Sequence, residues 1–347
     1  MTARRSIRAL LGLLLGGVCL WWVLHDVATE DIGEALSETR WSVLPVLALL
    51  FMAQQFLRAW RQQILVQGVN PDSPYRDNLS ILCISFFCIN TFPARLGELV
   101  RPALLRDRQG VPLGSGFGVI FVERLLDLCS TLLLLVAVAW WGNLAEAEIE
   151  IYGGQFSVRG MAREGALLVI PLLLVLGVLL ALALRGKSLV GILSRAGRFG
   201  RWAGSFVGPF LEGVAVLGRP RRTLGVLGLT AVIWAGTGWM YVLLANAVGI
   251  GAQVGYLEGL GVLALTMLCT ALPSPPGFVG VYEAGVLAAL GLFGVAGPEW
   301  AATALVFALV MHWWTFTVQA LSALWFFLAD EVGLGEVFAY SRRSQMP

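Results

Sequence analysis

Charge is scarce in this sequence. Asp, Glu, Lys and Arg make up 13% of its 347 residues, about half the share in an ordinary soluble domain. Lysine is nearly missing: of 24 basic residues, all but Lys187 are Arg, a compositional bias that assigns no function. The net charge of +2 gives no basis for nucleic-acid binding. Cysteine and histidine are few as well. Cys19, Cys83, Cys88, Cys129 and Cys269 lie in apolar stretches without ligand spacing and read as small buried hydrophobes. His25 and His312 are too isolated to frame a metal site. No Ser–His or Cys–His constellation stands out, so neither an enzyme nor a cofactor is expected. The lack of a Walker-type glycine loop argues against direct use of ATP.

What the chain does have is hydrophobic length. Apolar residues make up 58% of it, and its mean hydropathy is +0.78. Runs at 9–24, 42–56, 117–141, 166–184, 224–248 and 301–328 approach or exceed the roughly 20 residues that cross about 30 Å of hydrocarbon. A soluble core hides one such run, not six. The fold class is therefore an all-α polytopic membrane protein. The first run follows Arg4, Arg5 and Arg8, ends in Trp21-Trp22 and lacks a small-x-small cleavage site. It reads as an uncleaved anchor.

The basic residues predict an orientation. Three precede the first run, seven fall between Arg58 and Arg108, eight lie within 185–222, and Arg342 and Arg343 follow the last run. Placing all of these in the cytoplasm leaves only Arg40, Arg159 and Arg163 outside, with Arg124 inside a span. A bacterial-type inner membrane with both termini cytoplasmic is the predicted setting.

That count holds only if two regions turn back before crossing. Residues 79–91 are apolar over too short a length to span. They stop at Asn90-Thr91-Phe92-Pro93-Ala94-Arg95-Leu96-Gly97-Glu98 and return through 99–105. Residues 259–270 stop at a stretch holding Pro273, Pro275, Pro276, Gly277, Gly280 and Glu283, then return through 284–293. Each is a short apolar helix, a Pro/Gly break, and a Glu opening a second helix. The predicted layout is about six full spans plus two re-entrant hairpins, 77–107 from the cytoplasm and 256–295 from outside. Together they form an inverted pseudo-two-fold repeat of halves 1–141 and 165–328, within one domain over 1–347. Plain Pro-kinked helices, giving eight spans, fit the same breaks.

Two peripheral segments complete this layout. Residues 186–222 have amphipathic spacing with interleaved arginines, which predicts cytoplasmic helices at the interface; a positive-inside anchor accounts for them equally. Residues 26–40, with five acids and one base, read as a short outside helix.

Glu123, Arg124 and Asp127 interrupt the run 117–141, where a central charge costs about 2.5–3.5 kcal/mol. Glu123 and Asp127 share a helix face. Arg95, Glu98 and Arg101 are spaced three apart on the hairpin. The trios carry opposite net charge and are predicted to pair. Two readings stay open. The network fastens the hairpin into the bundle, or Arg95, Arg101 and Arg124 exchange carboxylate partners for a phosphate, with Glu98, Glu123 and Asp127 holding them otherwise. Helix N-termini at the Pro93 and Pro273 breaks favour an anion, although the acids fit a proton or cation path as well. Glu283 is either a proton-linked group or an N-terminal helix carboxylate. Asn90 lines the path or satisfies the broken backbone. Arg58 and Arg61 read as anchors snorkelling at the cytoplasmic boundary.

These residues resemble three hallmarks of one family. Asn90 through Glu98 with Arg101 looks like N-x-x-P-x-R-x-G-E-x-x-R, and Glu123-Arg124-Leu125-Leu126-Asp127 like E-R-x-x-D. Pro273, Pro275, Pro276, Gly277, Gly280 and Glu283 are similar to a P-x-P-G-x-x-G-x-x-E type pattern. The family is the lysylphosphatidylglycerol synthase transmembrane region, or flippase-like domain, and the resemblance covers nearly the whole chain. It implies a lipid-flippase-type domain of two pseudo-symmetric halves with re-entrant helices. In the bifunctional synthases this domain is thought to translocate aminoacylated phosphatidylglycerol. With a tail ending at Pro347, the soluble aminoacyl-transferase domain is expected to be absent, which leaves the lipid open. Where the family often has Arg in the last span, this sequence has His312-Trp313-Trp314, and no head-group role is expected there.

The function expected from both lines is an ATP-independent translocase or lipid-binding protein. Its partner would be an anionic phospholipid or a polyprenyl-phosphate-type lipid. The alternatives are a non-catalytic accessory subunit of a membrane glycosyltransferase or lipid-modifying enzyme, and a small-solute secondary transporter.

Overall fold

Runs of Leu, Ala, Val and Phe punctuated by Pro and Gly dictate helices, and helices are what the chain forms. The computed structural model describes residues 27–91, 97–142, 148–151, 154–157, 169–184, 197–271, 275–295 and 297–330, with isolated positions at 17, 18, 21, 160, 164 and 167. Helix α1 (Thr29–Glu38) carries Glu30 and Asp31 in its first turn, where they complement the helix dipole. A 3₁₀ turn (Trp41–Val43) leads into α2 (Leu44–Val66), which has Pro45 in its first turn. Helices α3 (Tyr75–Thr91) and α4 (Gly97–Gln109) flank the first break, and α5 (Leu113–Trp141) follows. The antiparallel pair β1 (Glu148–Ile151) and β2 (Gly154–Ser157), with Glu148 opposite Ser157, is the only sheet among the described residues. Helices α6 (Val169–Leu184) and α7 (Gly197–Ala215) precede the long α8 (Pro220–Val248). Helices α9 (Tyr256–Ala271) and α10 (Val281–Gly291) flank the second break, and α11 (Pro298–Ala329) closes the described chain.

Three helices, Trp41–Val66 with its leading turn, Pro220–Val248 and Pro298–Ala329, are long and apolar enough to cross a membrane. Helix α5 matches them in length with 29 residues, about 43 Å. Helices α3, α4, α9 and α10, of 17, 13, 16 and 11 residues, reach only about 16–26 Å and fall short of the hydrocarbon thickness. Polarity is the reverse of a soluble protein. Leu49, Leu224, Trp325 and Leu328 face outward at 71%, 70%, 69% and 73% exposure, while Gln55, Arg61, Gln62, Asn78, Arg101, Glu123, Glu283 and Gln319 are buried. Such an apolar exterior around a polar interior is what a bilayer stabilises. This is a membrane protein.

Packing pairs up across the chain. Helix α2 lies against α8, α3 against α11, and α9 against α5. Contacts of α2 with α3, α3 with α4 and α4 with α5 are matched by α8 with α9, α9 with α10 and α10 with α11. The last helix of each set of four thus packs on the hairpin of the other set.

The hairpins open toward opposite ends of the bundle. At one end the Arg40 N–H donates to the Ala247 carbonyl at 3.0 Å, joining the start of α2 to the end of α8. At the other, Asn70 Nδ2 donates to the Gln109 carbonyl at 2.8 Å, and Ser73 Oγ bonds Gln109 Oε1 at 2.7 Å. The first hairpin opens at this second end, and the second hairpin starts from the first, after α8. The end of α3 lies near the turn that precedes α10: a Cβ on Gly277 would stand 3.8 Å from the Asn90 carbonyl oxygen.

Asp330 locks α11 to the first hairpin. Its carboxylate accepts from Arg76 at 2.7 Å, from Arg108 at 2.9 Å and from Ser80. Burial alone would raise this carboxyl, but bonds from Ser80 and Arg108 and the charges of Arg108 and Arg76 outweigh it and hold it below its ordinary value. The stabilisation is therefore complete above about pH 4 and disappears as pH falls through the lower folded value. Asp330→Asn is expected to lose about 1–2 kcal/mol at neutral pH. Thermal unfolding in detergent across pH 3–7 checks this, because the gap from the native protein must close in acid.

Helix α7 belongs to the segment expected at the interface. It packs lengthwise on α5 through buried Leu211 and Val214. A Cβ on Gly118 would stand 2.3 Å from the Phe210 carbonyl oxygen, and one on Gly213 would stand 2.5 Å from that of Ser115. Small residues here let two backbones touch, the usual route to tight helix pairs in membranes. Residues 185–196 and the run 9–24, apart from 17, 18 and 21, lie outside the described residues.

Candidate functional site

Three helices bring six charged side chains together beside the first break. Helix α2 contributes Arg58, Arg61 and, on the same face, Gln62; α5 contributes Glu123, Arg124 and Asp127; α4 contributes Arg101. Two ion pairs organise them. Arg101 Nη1 lies 2.7 Å from Glu123 Oε2, with the side chains 2% and 1% exposed. Its Nε donates to Gln62 Oε1 at 2.6 Å, and Gln62 Nε2 donates in turn to Asn78 Oδ1 at 3.0 Å. This half is dry, and the amide chain fixes the guanidinium plane. The second pair is open. Arg61 grips Asp127 with two bonds of 2.7 and 3.2 Å and also reaches Thr230 Oγ1 at 3.0 Å, while the Asp127 side chain is 24% exposed.

Arg58 and Arg124 differ from these. Both are partly exposed. Among the described residues neither has a carboxylate within ion-pair distance, though both sit close enough to act on Asp127 through their charge. Instead both stand close to an aromatic ring. The Cζ atoms of Arg58, Arg101 and Arg124 stand 5.5, 5.8 and 5.6 Å from the Phe86 ring centroid, within range of a cation–π attraction. Arg61 Nε, Arg124 Nε and Glu123 Oε1 are buried without a hydrogen-bond partner. Buried polar atoms left in this state are uncommon and call for a reason.

The pairing expected between the hairpin and α5 is present in Arg101 and Glu123. The other half is different. Asp127 pairs with Arg61 of α2 and, among the described residues, with no arginine of the hairpin. The reading of Arg58 and Arg61 as boundary anchors is corrected, because α2 continues to Val66 and carries both inside the bundle, with Arg61 only 4% exposed. Arg95 and Pro93 lie outside the described residues, as does Pro273. Glu98 stands partly exposed in the first turn of α4, and Asn90 partly exposed near the end of α3. Gly97 opens α4 so close to α3 that a Cβ would lie 2.2 Å from the Ile89 nitrogen.

At the second break, Pro275 is extended and Pro276 begins a 3₁₀ turn. Gly277, Phe278 and Gly280 take φ values of 71°, 57° and 80°, left-handed conformations that glycine adopts without strain and Phe278 does not. Glu283 is fully buried. It accepts from the Gly280 N–H at 2.7 Å and lies 2.6 Å from His312 Nδ1. It therefore serves the helix N-terminus and also has a basic partner, which lies 29 residues away and was invisible to local reading. The His312 ring stacks on Tyr282 at 4.4 Å, and the Tyr282 hydroxyl bonds that of Tyr241 at 2.9 Å.

Both hairpins and every one of these side chains fall within a segment, residues 9–320, that matches the family model of the lysylphosphatidylglycerol synthase TM region. The chain belongs to that family. Among curated proteins it is similar to one named glycosyltransferase AglD, from Haloferax volcanii, with 25% identity over 332 residues. The match covers 89% of this chain and 52% of that protein, so the chain spans about half the length of this curated relative. No solved structure matches the chain. Family membership and the surrounding apolar helices agree on a membrane protein concerned with lipid.

Proposed function

We propose that the protein binds an anionic, phosphate-bearing membrane lipid where the two hairpin tips meet and carries its head group across the bilayer without ATP. One observation carries the reading: Arg58 and Arg124, partly exposed and, among the described residues, without a carboxylate within ion-pair distance, both stand within 5.6 Å of the Phe86 ring centroid. Guanidinium forks suit phosphate oxygens, and a lipid gives such charges a reason to lie within hydrocarbon.

The matched packing of α2–α5 and α8–α11 supports an inverted repeat with two re-entrant hairpins. Orientation follows from charge. Arg76, Arg106, Arg108, Arg219 and Arg221 lie at the end where the first hairpin opens, and Glu30, Asp31, Glu34 and Glu38 at the other. The arginine-rich end is then cytoplasmic, in a bacterial-type inner membrane. The protein acts as a carrier and performs no covalent step, and the buried Glu283–His312 pair offers a place for a coupling proton.

Native mass spectrometry of the purified protein tests the reading. An anionic phospholipid should be retained, and Arg58→Ala and Arg124→Ala should each reduce retention at least tenfold. Proteoliposomes of both variants should scramble a labelled lipid correspondingly more slowly. Retention equal to the native protein in both variants refutes the reading and leaves the cluster a structural knot. The similarity to a named glycosyltransferase favours a second reading, an accessory role beside a membrane glycosyltransferase. In that case the protein co-purifies with an enzyme and moves no lipid alone.

A further inference from the structure

The charge left over at the site specifies the head group further, on the reading just given. Among the described residues of the cluster, four guanidiniums, of Arg58, Arg61, Arg101 and Arg124, face two carboxylates, of Glu123 and Asp127, and charges from this set act on Arg58, Arg101 and Asp127. Both carboxylates are already engaged, by Arg101 and Arg61. The excess of two positive charges therefore falls on Arg58 and Arg124, the partly exposed pair. A low-dielectric surrounding makes leftover charge costly, so the occupant that fits is one that cancels it.

From this we infer that the site selects a phosphomonoester lipid head group, a dianion, over the phosphodiester of an ordinary phospholipid. A terminal phosphate carries about two negative charges above neutral pH and three acceptor oxygens. Its oxygens can receive both free guanidiniums, including that of Arg124, whose buried Nε has no partner. A diester has half the charge and one fewer free oxygen, so one guanidinium would stay bare. Phe86, within 5.8 Å of three of the four guanidiniums, offers them no hydrogen-bond acceptor that would compete with the phosphate. Lipids ending in a terminal phosphate, whether on diacylglycerol or on a polyprenol, share this chemistry.

The test compares lipids with matched acyl chains on the full-length protein in detergent at pH 8. Native mass spectrometry should give at least tenfold tighter binding for dioleoyl phosphatidic acid than for dioleoyl phosphatidylglycerol, which is about 1.4 kcal/mol. Arg58→Gln or Arg124→Gln, each removing one charge, should bring the ratio to about one. Asp127→Asn leaves Arg61 free and should raise affinity for both lipids. Equal native affinities overturn the monoester assignment but leave the lipid reading intact. Binding of neither lipid removes both. Inorganic phosphate binding as tightly as phosphatidic acid assigns the site to a free anion and overturns the lipid head group.

Discussion

Glu123→Ala is expected to destabilise the protein by about 3–5 kcal/mol, the toll of a buried charge losing its partner. Arg101 is 2% exposed and Gln62 is its only other polar contact, so the widowed guanidinium has no water to turn to. The reason lies in position: α4 delivers Arg101 to the wall of α5, where Phe86 and the Gln62–Asn78 amides stand beside it and the nearby charges of Arg124 and Arg61 are of its own sign. Removing both charges should do far less. Arg101→Met with Glu123→Leu keeps the volume, abolishes the desolvation, and should recover most of the loss. Chemical unfolding in detergent measures both proteins. A single variant within about 1 kcal/mol of native would mean that water reaches Arg101, and the division of the site into a sealed and an open half would fall. The double variant has a second use. If it folds and still retains an anionic lipid, Arg58 and Arg124 suffice for binding, and the Arg101–Glu123 pair acts as a strut.

Gly97→Ala is expected to cost about 3 kcal/mol, the upper range for overpacking. The added carbon would stand 2.2 Å from the Ile89 nitrogen and 2.3 Å from the Cys88 carbonyl carbon, both backbone atoms in α3. No side-chain rotation relieves that clash, so α3 and α4 must separate at the tip. Cys88 and Val100, buried in one cluster, then lose their packing. Gly285→Ala, inside α10 of the second hairpin, meets the Cys269 Cβ at 3.0 Å and the sulfur at 3.3 Å. A side chain can yield, and the expected loss is about 1 kcal/mol. Thermal unfolding of the two variants side by side checks the order. A Gly97 variant as stable as the Gly285 variant would show that the first tip has slack and is not held by backbone contact.

Much of this molecule is readable without coordinates because the relevant forces are local. Apolar runs against a background of little charge dictate membrane helices. Proline and glycine in the 92–97 and 273–280 stretches end helices too short to span, and in the structure short helices lie on each side of both stretches, with Gly97 opening α4 and Pro276–Phe278 forming a 3₁₀ turn. The Arg101–Glu123 pair could be anticipated, since a connection from Gln109 to Leu113 forces α4 back onto α5. The three-residue and four-residue spacings of Glu123, Arg124 and Asp127 placed them together on one stretch of helix, but could not say what each would face.

Other partners were hidden for the same physical reason in every case. Asp127 answers Arg61 across 66 residues, Glu283 answers His312 across 29, and Gln55 bonds Gln319 across 264. Arg58 and Arg61 sit past the end of an apolar run, where their own sequence neighbourhood describes an anchor. Only the packing of α2 against α8 and α5 turns that face inward. Sequence alone determined that the chain lives in a membrane, where its helices break, and that charge is buried between them. Which arginines are neutralised and which stay partly exposed without a carboxylate within reach was decided by helix neighbours, because the strength of an ion pair depends on distance and dielectric, and neither is written in the order of residues.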